Sequence, residues 1–226
     1  AELDAVVQDS PEMTFYGLRE STVTLLLLHG VAALIALRRG DDDAADAHLL
    51  AAAEVPVASP AERENCDFLV AAQAVAAERD GRLDEAVSLL KPNLRADYSQ
   101  MTLRHQWLPD LARLALQVGD VAVAREALAQ CQDEAGREQT PARAYTAALR
   151  CQALVTGDPA FAQEAVEHYR RIGRAVELGA ALEDLAVLQA ARGAAGALAE
   201  AVEVYSEFGA QWDVQRARAR SAAAQP

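Results

Sequence analysis

Lysine is almost missing from this 226-residue sequence: Lys91, inside LLKPNL, is the only one. A phosphate loop of the form G-x-x-x-x-G-K-[ST] is therefore excluded. G-x-S-x-G, H-E-x-x-H and G-x-G-x-x-G are absent as well, which removes the nucleophile-elbow, zinc-protease and dinucleotide signatures. Cysteine is scarce. Cys66, Cys131 and Cys151 are odd in number and form no C-x-x-C, so a disulfide framework or thiolate zinc site is not expected. They read as small buried thiols in a reducing cytoplasm. Long apolar runs are lacking too. The most hydrophobic stretch, TLLLLHGVAALIAL, has 14 residues and contains His29 and Gly30, short of the roughly 20 that a bilayer demands. No signal-peptide pattern opens the chain. We expect a cytoplasmic protein with no membrane contact.

An excess of positive charge is also missing. The chain has 34 acidic against 21 basic residues and a formal net charge of −13. Nucleic-acid binding needs a clustered basic face, so none is expected here. The four histidines, His29, His48, His105 and His168, read as scattered over different repeats, with His105 a partly exposed surface residue. His105 near Asp110 does not make a triad. GDDDAAD at 40–46 lacks the spaced oxygen ligands of a calcium loop. No catalytic, cofactor-binding or metal-binding residue is assigned, and an enzyme is not expected.

Aromatics amount to only 5%, while hydrophobic residues reach 52%, mostly alanine with leucine and valine. Alanine has the best helix propensity, and strand-like alternation is rare here. Five segments share one form, an apolar-periodic helix, a glycine, a short polar turn and a second helix. Their glycines are Gly40, Gly81, Gly119, Gly157 and Gly193, at intervals of 41, 38, 38 and 36 residues. Each glycine can close a helix in the left-handed conformation. Asp41, Asp120 and Asp158 follow as caps, and Pro159 suits the first helical position. Ser59-Pro60-Ala61-Glu62 forms a capping box, and Thr140-Pro141 reads as a similar start.

A small or apolar residue stands five after each glycine (Ala45, Ala86, Ala124, Ala162, Leu198), and a larger one four later (Leu49, Leu90, Leu128, Val166, Val202). Seven before it stand Ala33, Ala74, Ala112 and Ala186, with Arg150 the exception. This frame over residues 21–209 resembles the tetratricopeptide repeat. It departs from that repeat in its missing early aromatics, its displaced prolines and a period longer than about 34 residues. Related helical repeats of longer period are the rival. The expected fold is all-α, a right-handed α-solenoid of about five hairpins, with eleven or twelve helices. Residues 1–20 form an extension, the hairpins span 21–55, 60–95, 102–136, 140–173 and 174–209, and 210–226 is a capping helix and tail.

The tetratricopeptide resemblance implies a concave wall made by the first helices, with Gln106, Asp110, Arg113, Gln117, Glu183 and Asp184 as candidate groove residues for a protein or peptide partner. Ala144, Ala147, Ala148 and Cys151 would form a small-residue strip between them. Separately, the first helix is apolar almost all round, so Leu26, Leu27 and Leu34 are a candidate association face. Its cover would be residues 1–20, missing upstream repeats or a second copy. We expect a homodimer through it.

The chain closes on YSEFGAQWDVQRARAR before a short tail. At 100° per residue Arg216 and Arg220 share a helix face while Arg218 points away, which is a cap and not a basic stripe. Tyr205, Gly209, Ala210, Trp212, Asp213, Arg216, Ala217, Arg218 and Arg220 resemble a segment near the end of the helical repeats in large ATP-binding LuxR-type transcriptional regulators of actinobacteria. The resemblance implies a sensor or interaction domain cut from a longer protein, between an ATPase and a helix-turn-helix domain. The alternative is a free-standing scaffold with no transcriptional role.

Overall fold

The computed structural model describes residues 22–57, 66–95, 104–190 and 196–225. These residues form eleven α-helices and one 3-10 turn, with no strand among them. The chain divides into two compact units between Leu90 and Lys91. The capping box at 59–62, residues 1–20 and the fifth turn glycine, Gly193, lie outside the described residues.

The first unit holds α1 (Thr22–Arg39), α2 (Asp42–Glu54), α3 (Asp67–Arg79) and α4 (Leu83–Leu90). Helix α1 packs on both α2 and α3, and α3 packs on α4. Leu26, Ala52, Val55, Cys66 and Leu69 form one buried cluster there. Arg79 of α3 donates to the Leu37 carbonyl at 3.1 Å and pairs with Asp42, tying its helix to the first hairpin turn. Of the three leucines expected on an association face, only Leu27 is exposed (39%). Leu26 and Leu34 are buried, because α2 and α3 cover the faces that a lone helix would show.

The second unit opens on the 3-10 turn Lys91–Leu94 and continues as α5 (Arg104–Gln117), α6 (Val121–Ala135), α7 (Arg143–Thr156), α8 (Pro159–Ile172), α9 (Ala175–Ala190), α10 (Ala197–Glu207) and α11 (Gln211–Ala223). Arg104 pins its start. The buried guanidinium donates to the carbonyls of Asn93 and Leu94 and to Gln130, and pairs with Glu134. Each odd helix lies on the next odd helix, α5 on α7, α7 on α9 and α9 on α11. Each even helix fits between the odd helices before and after it.

Local chemistry explains the hairpins. Gly40, Gly81, Gly119 and Gly157 all have φ between +69° and +81°, a region that side chains disfavour. After the first three, the next amide bonds five residues back, at 2.9 Å from Asp41 to Ala36, 2.8 Å from Arg82 to Ala77 and 2.8 Å from Asp120 to Ala115. That closes the orphan carbonyls of the preceding helix. Asp41, Asp120 and Asp158 accept from the amides of Ala44, Val123 and Ala160. The start of α7 differs from expectation. Thr140 does not cap it; the Glu138 carboxylate accepts from the amides of Ala142, Ala144 and Tyr145.

The alanine frame becomes the hairpin core. Ala33, Ala45, Ala74, Ala86, Ala112, Ala124, Ala162 and Ala186 are all buried, and side chains of that size let two helices touch. The strip Ala144, Ala147, Ala148 and Cys151 is buried as well. It is core, not groove wall, because α5, α6, α8 and α9 surround α7.

Candidate functional site

Arg150 breaks the alanine frame, and it is the centre of the second unit's polar interior. Its Nε and Nη2 both donate to Asp184 Oδ2, at 3.0 and 2.8 Å, and Nη2 lies 3.8 Å from Asp110 Oδ1. Arg150 on α7 thus links α5 to α9. On α5 itself, Asp110 and Arg113 sit 3.6 Å apart.

A second cluster joins α9 to the last helix. Arg216 Nε and Nη2 donate to the two oxygens of Glu183 at 3.0 and 2.8 Å, a fork-on-carboxylate geometry. Arg220 Nη1 reaches Glu183 at 2.6 Å and Asp184 at 3.1 Å. Asp213 pairs with Arg216 at 2.9 Å, and the Tyr205 hydroxyl donates to Glu183 at 2.8 Å. Asp184 receives Arg150 from one side and Arg220 from the other, so the two clusters are one ladder across α5, α7, α9 and α11.

Burial alone would neutralise such groups. It pushes the Glu183 carboxyl up, yet Arg216 and Arg220 overcome it and hold the group well below the usual carboxylate range. Burial likewise pulls Arg150 and Arg216 down, but their carboxylates more than reverse it. Burial and then Glu183 raise the Tyr205 phenol well above its ordinary value. Held charged in this way, Arg150, Glu183 and Arg216 tie α7, α9 and α11 together.

The ladder gives stability a definite pH dependence. The unfolded chain protonates Glu183 near its ordinary value, about 4.3, while the folded chain resists. The stability contributed by Glu183 is therefore present above that range and is lost as pH falls through its depressed folded value. Glu177 acts with the same sign: burial raises its carboxyl, but Arg174 and Arg143 bring it below the ordinary range. The thermal midpoint, followed by circular dichroism, should hold between about pH 7 and 5 and fall below about pH 4. Glu183→Gln should flatten that fall.

The six candidate groove residues separate on burial. Gln117 is exposed, Gln106 and Asp110 are half-buried, and Arg113, Glu183 and Asp184 are buried. Glu183 and Asp184 do not face an open groove, because α11 lays its arginines over them. Arg218, pointing elsewhere, is exposed. Three residues of the ladder escaped the sequence reading: Arg150, Tyr205 as a hydrogen-bond donor, and Asp213 as a buried acid. The signal for Arg150 was the break in the alanine frame.

The histidines also differ from expectation. His29 and His48 lie on the two helices of one hairpin with Nδ1 atoms 3.2 Å apart. Burial first and His48 second lower the His29 value. His105 faces Glu134 at 3.6 Å. Among the described residues no group of three or more His, Cys, Asp or Glu side chains is placed to hold a metal ion. No described helix is long and apolar enough to cross a membrane. Comparison of the chain with protein-family models, with curated proteins and with solved structures finds no match.

Proposed function

We propose that this chain is a non-catalytic interaction or sensor domain of a large ATP-binding LuxR-type transcriptional regulator, built from tetratricopeptide-like hairpins in a right-handed stack. It works in the cytoplasm. It passes the binding of a protein, peptide or effector, or of a sister protomer, to ATPase and DNA-binding domains outside these residues.

One observation carries the reading: four residues of the LuxR-type resemblance, Tyr205, Asp213, Arg216 and Arg220, belong to the cluster that clamps α11. Tyr205, Arg216 and Arg220 converge on Glu183, and Asp213 pairs with Arg216. Gly209 makes the turn at φ +66°, and Ala210 and Ala217, at the start and in the middle of α11, pack in one buried cluster with Tyr205 and Val214. A segment with that role fixes α11 rigidly to the repeats. A shift of the odd helices on partner binding would reach α11 through the ladder instead of being lost in a loose linker. The chain needs no cofactor in this role.

The reading frame around the coding segment tests the proposal. It should encode a phosphate loop several hundred residues upstream and a helix-turn-helix just downstream. A frame with neither favours the free-standing scaffold.

A biochemical prediction accompanies it. Residues 1–226 should not hydrolyse ATP, since Lys91 is the only lysine and lies outside any G-K-[ST]. Arg216 and Arg220 of the terminal helix are engaged by carboxylates, so DNA affinity at physiological salt should be weaker than micromolar. Fluorescence anisotropy with a labelled duplex measures this, and sub-micromolar binding would count against the reading.

A further inference from the structure

Cys131 on α6 and Cys151 on α7 bring their sulfurs to 3.7 Å, and both thiols are free and fully buried. They are 20 residues apart, on helices joined by one loop and packed along their lengths. Ala127 and Ala124 lie one and two turns before Cys131, Ala147 and Ala144 before Cys151, and all four are buried. Stripes of such small residues let two helices approach closely. A sulfur–sulfur bond is about 2.05 Å long, so each sulfur has less than an ångström to travel. Cys66 is buried separately, in the first unit's cluster with Leu26 and Leu69.

We propose that Cys131 and Cys151 are a redox modification site, a dithiol that closes to an intramolecular disulfide and pins the third hairpin to the fourth. The co-reactant is a small two-electron thiol oxidant. With a diazene such as diamide, the first thiol adds across the N=N bond, its sulfur on one nitrogen and its hydrogen on the other. The second sulfur attacks the first, the sulfur–sulfur bond forms, and the nitrogen leaves carrying the second hydrogen. Two thiols are oxidised and the diazene is reduced to its hydrazine.

Burial sets the tempo. Attack needs a thiolate. The contact with Cys151 and burial hold the Cys131 thiol well above its ordinary value. Closure therefore waits for the α6–α7 contact to open, and the same burial shields the bond once made. The couple answers sustained oxidation and ignores brief exposure.

The test uses the whole chain. It is folded, treated with diamide both at room temperature and just below its unfolding midpoint, then unfolded in acid and alkylated. The expected result is one alkylated cysteine, Cys66, with tryptic peptides 126–137 and 151–170 joined until dithiothreitol separates them. The thermal midpoint should rise by roughly 5–15 °C on oxidation and return on reduction. Cys151→Ser and Cys131→Ala should show neither cross-link nor shift; two variants guard against one that folds poorly. Three alkylated cysteines at both temperatures would overturn the proposal. So would cross-links running through Cys66, or a joined pair that leaves the midpoint unchanged or lower.

Discussion

Glu183→Ala should destabilise the second unit by about 3–5 kcal/mol, the range for removing one partner of a buried ion pair. The cost does not come from lost attraction alone. Buried ion pairs contribute little net stability, since taking two charges from water offsets most of their attraction. Removing Glu183, which is 1% exposed, leaves Arg216 and Arg220 inside with one carboxylate fewer, and it takes away the acceptor of the Tyr205 hydroxyl. Urea unfolding followed by circular dichroism in the helical band measures the loss. Arg218→Ala on the exposed side of the same helix is the control and should stay within about 0.5 kcal/mol. The double variant Glu183→Ala with Arg216→Ala should lose less than the two single losses together, because the second change removes a charge that the first left unpaired. A single-variant loss under about 1 kcal/mol would show that α11 is not clamped by these carboxylates.

Gly30→Ala is the second large effect, and its sign runs against intuition. Alanine in mid-helix normally gains about 1 kcal/mol over glycine. Here an added Cβ would stand 2.5 Å from the Leu69 amide nitrogen and 2.8 Å from both Leu69 Cα and the Phe68 carbonyl carbon. Those are backbone atoms of α3 and cannot rotate aside. Helices α1 and α3 would have to separate, loosening Leu26 from Leu69 in the same cluster. Overpacking of this kind costs about 1–3 kcal/mol, so a net loss is expected in chemical denaturation. Gly136→Ala is the contrast. Its Cβ would meet nothing closer than 3.5 Å and its φ is −64°, so a neutral or slightly stabilising result is expected. If Gly30→Ala behaves the same way, α1 and α3 can part at little cost and their close crossing does not hold the first unit together.

These two sites mark the limit of what neighbouring residues encode. Helix against turn was decided within a few residues: a glycine that adopts positive φ, an aspartate whose carboxylate reaches an amide two or three positions on, and alanines seven before and five after. Those interactions are local, so their signal lies in neighbouring letters. The all-α class, the hairpins, the Asp caps and the shared face of Arg216 and Arg220 were legible for that reason. Gly30 was legible only as a residue unfavourable to a membrane helix, since its real constraint is a backbone 39 positions away.

The ladder was decided by tertiary structure. Glu183 and Asp184 sit on a helix face that the repeat pattern identifies, but periodicity does not say whether water or another helix covers that face. Their partners Arg150, Arg216 and Arg220 lie 33 to 37 residues away. The sum of the fields from arginines on several helices, and not any single spacing, keeps the Glu183 carboxylate charged inside. The same holds for His29 against His48 and for Cys131 against Cys151, whose separations of 19 and 20 residues become contacts only once hairpins close and stack. Sequence by itself determined which residues could build a hairpin. Which polar groups ended inside was decided by the helices that packed over them, because desolvation and its compensation exist only once those helices are in place.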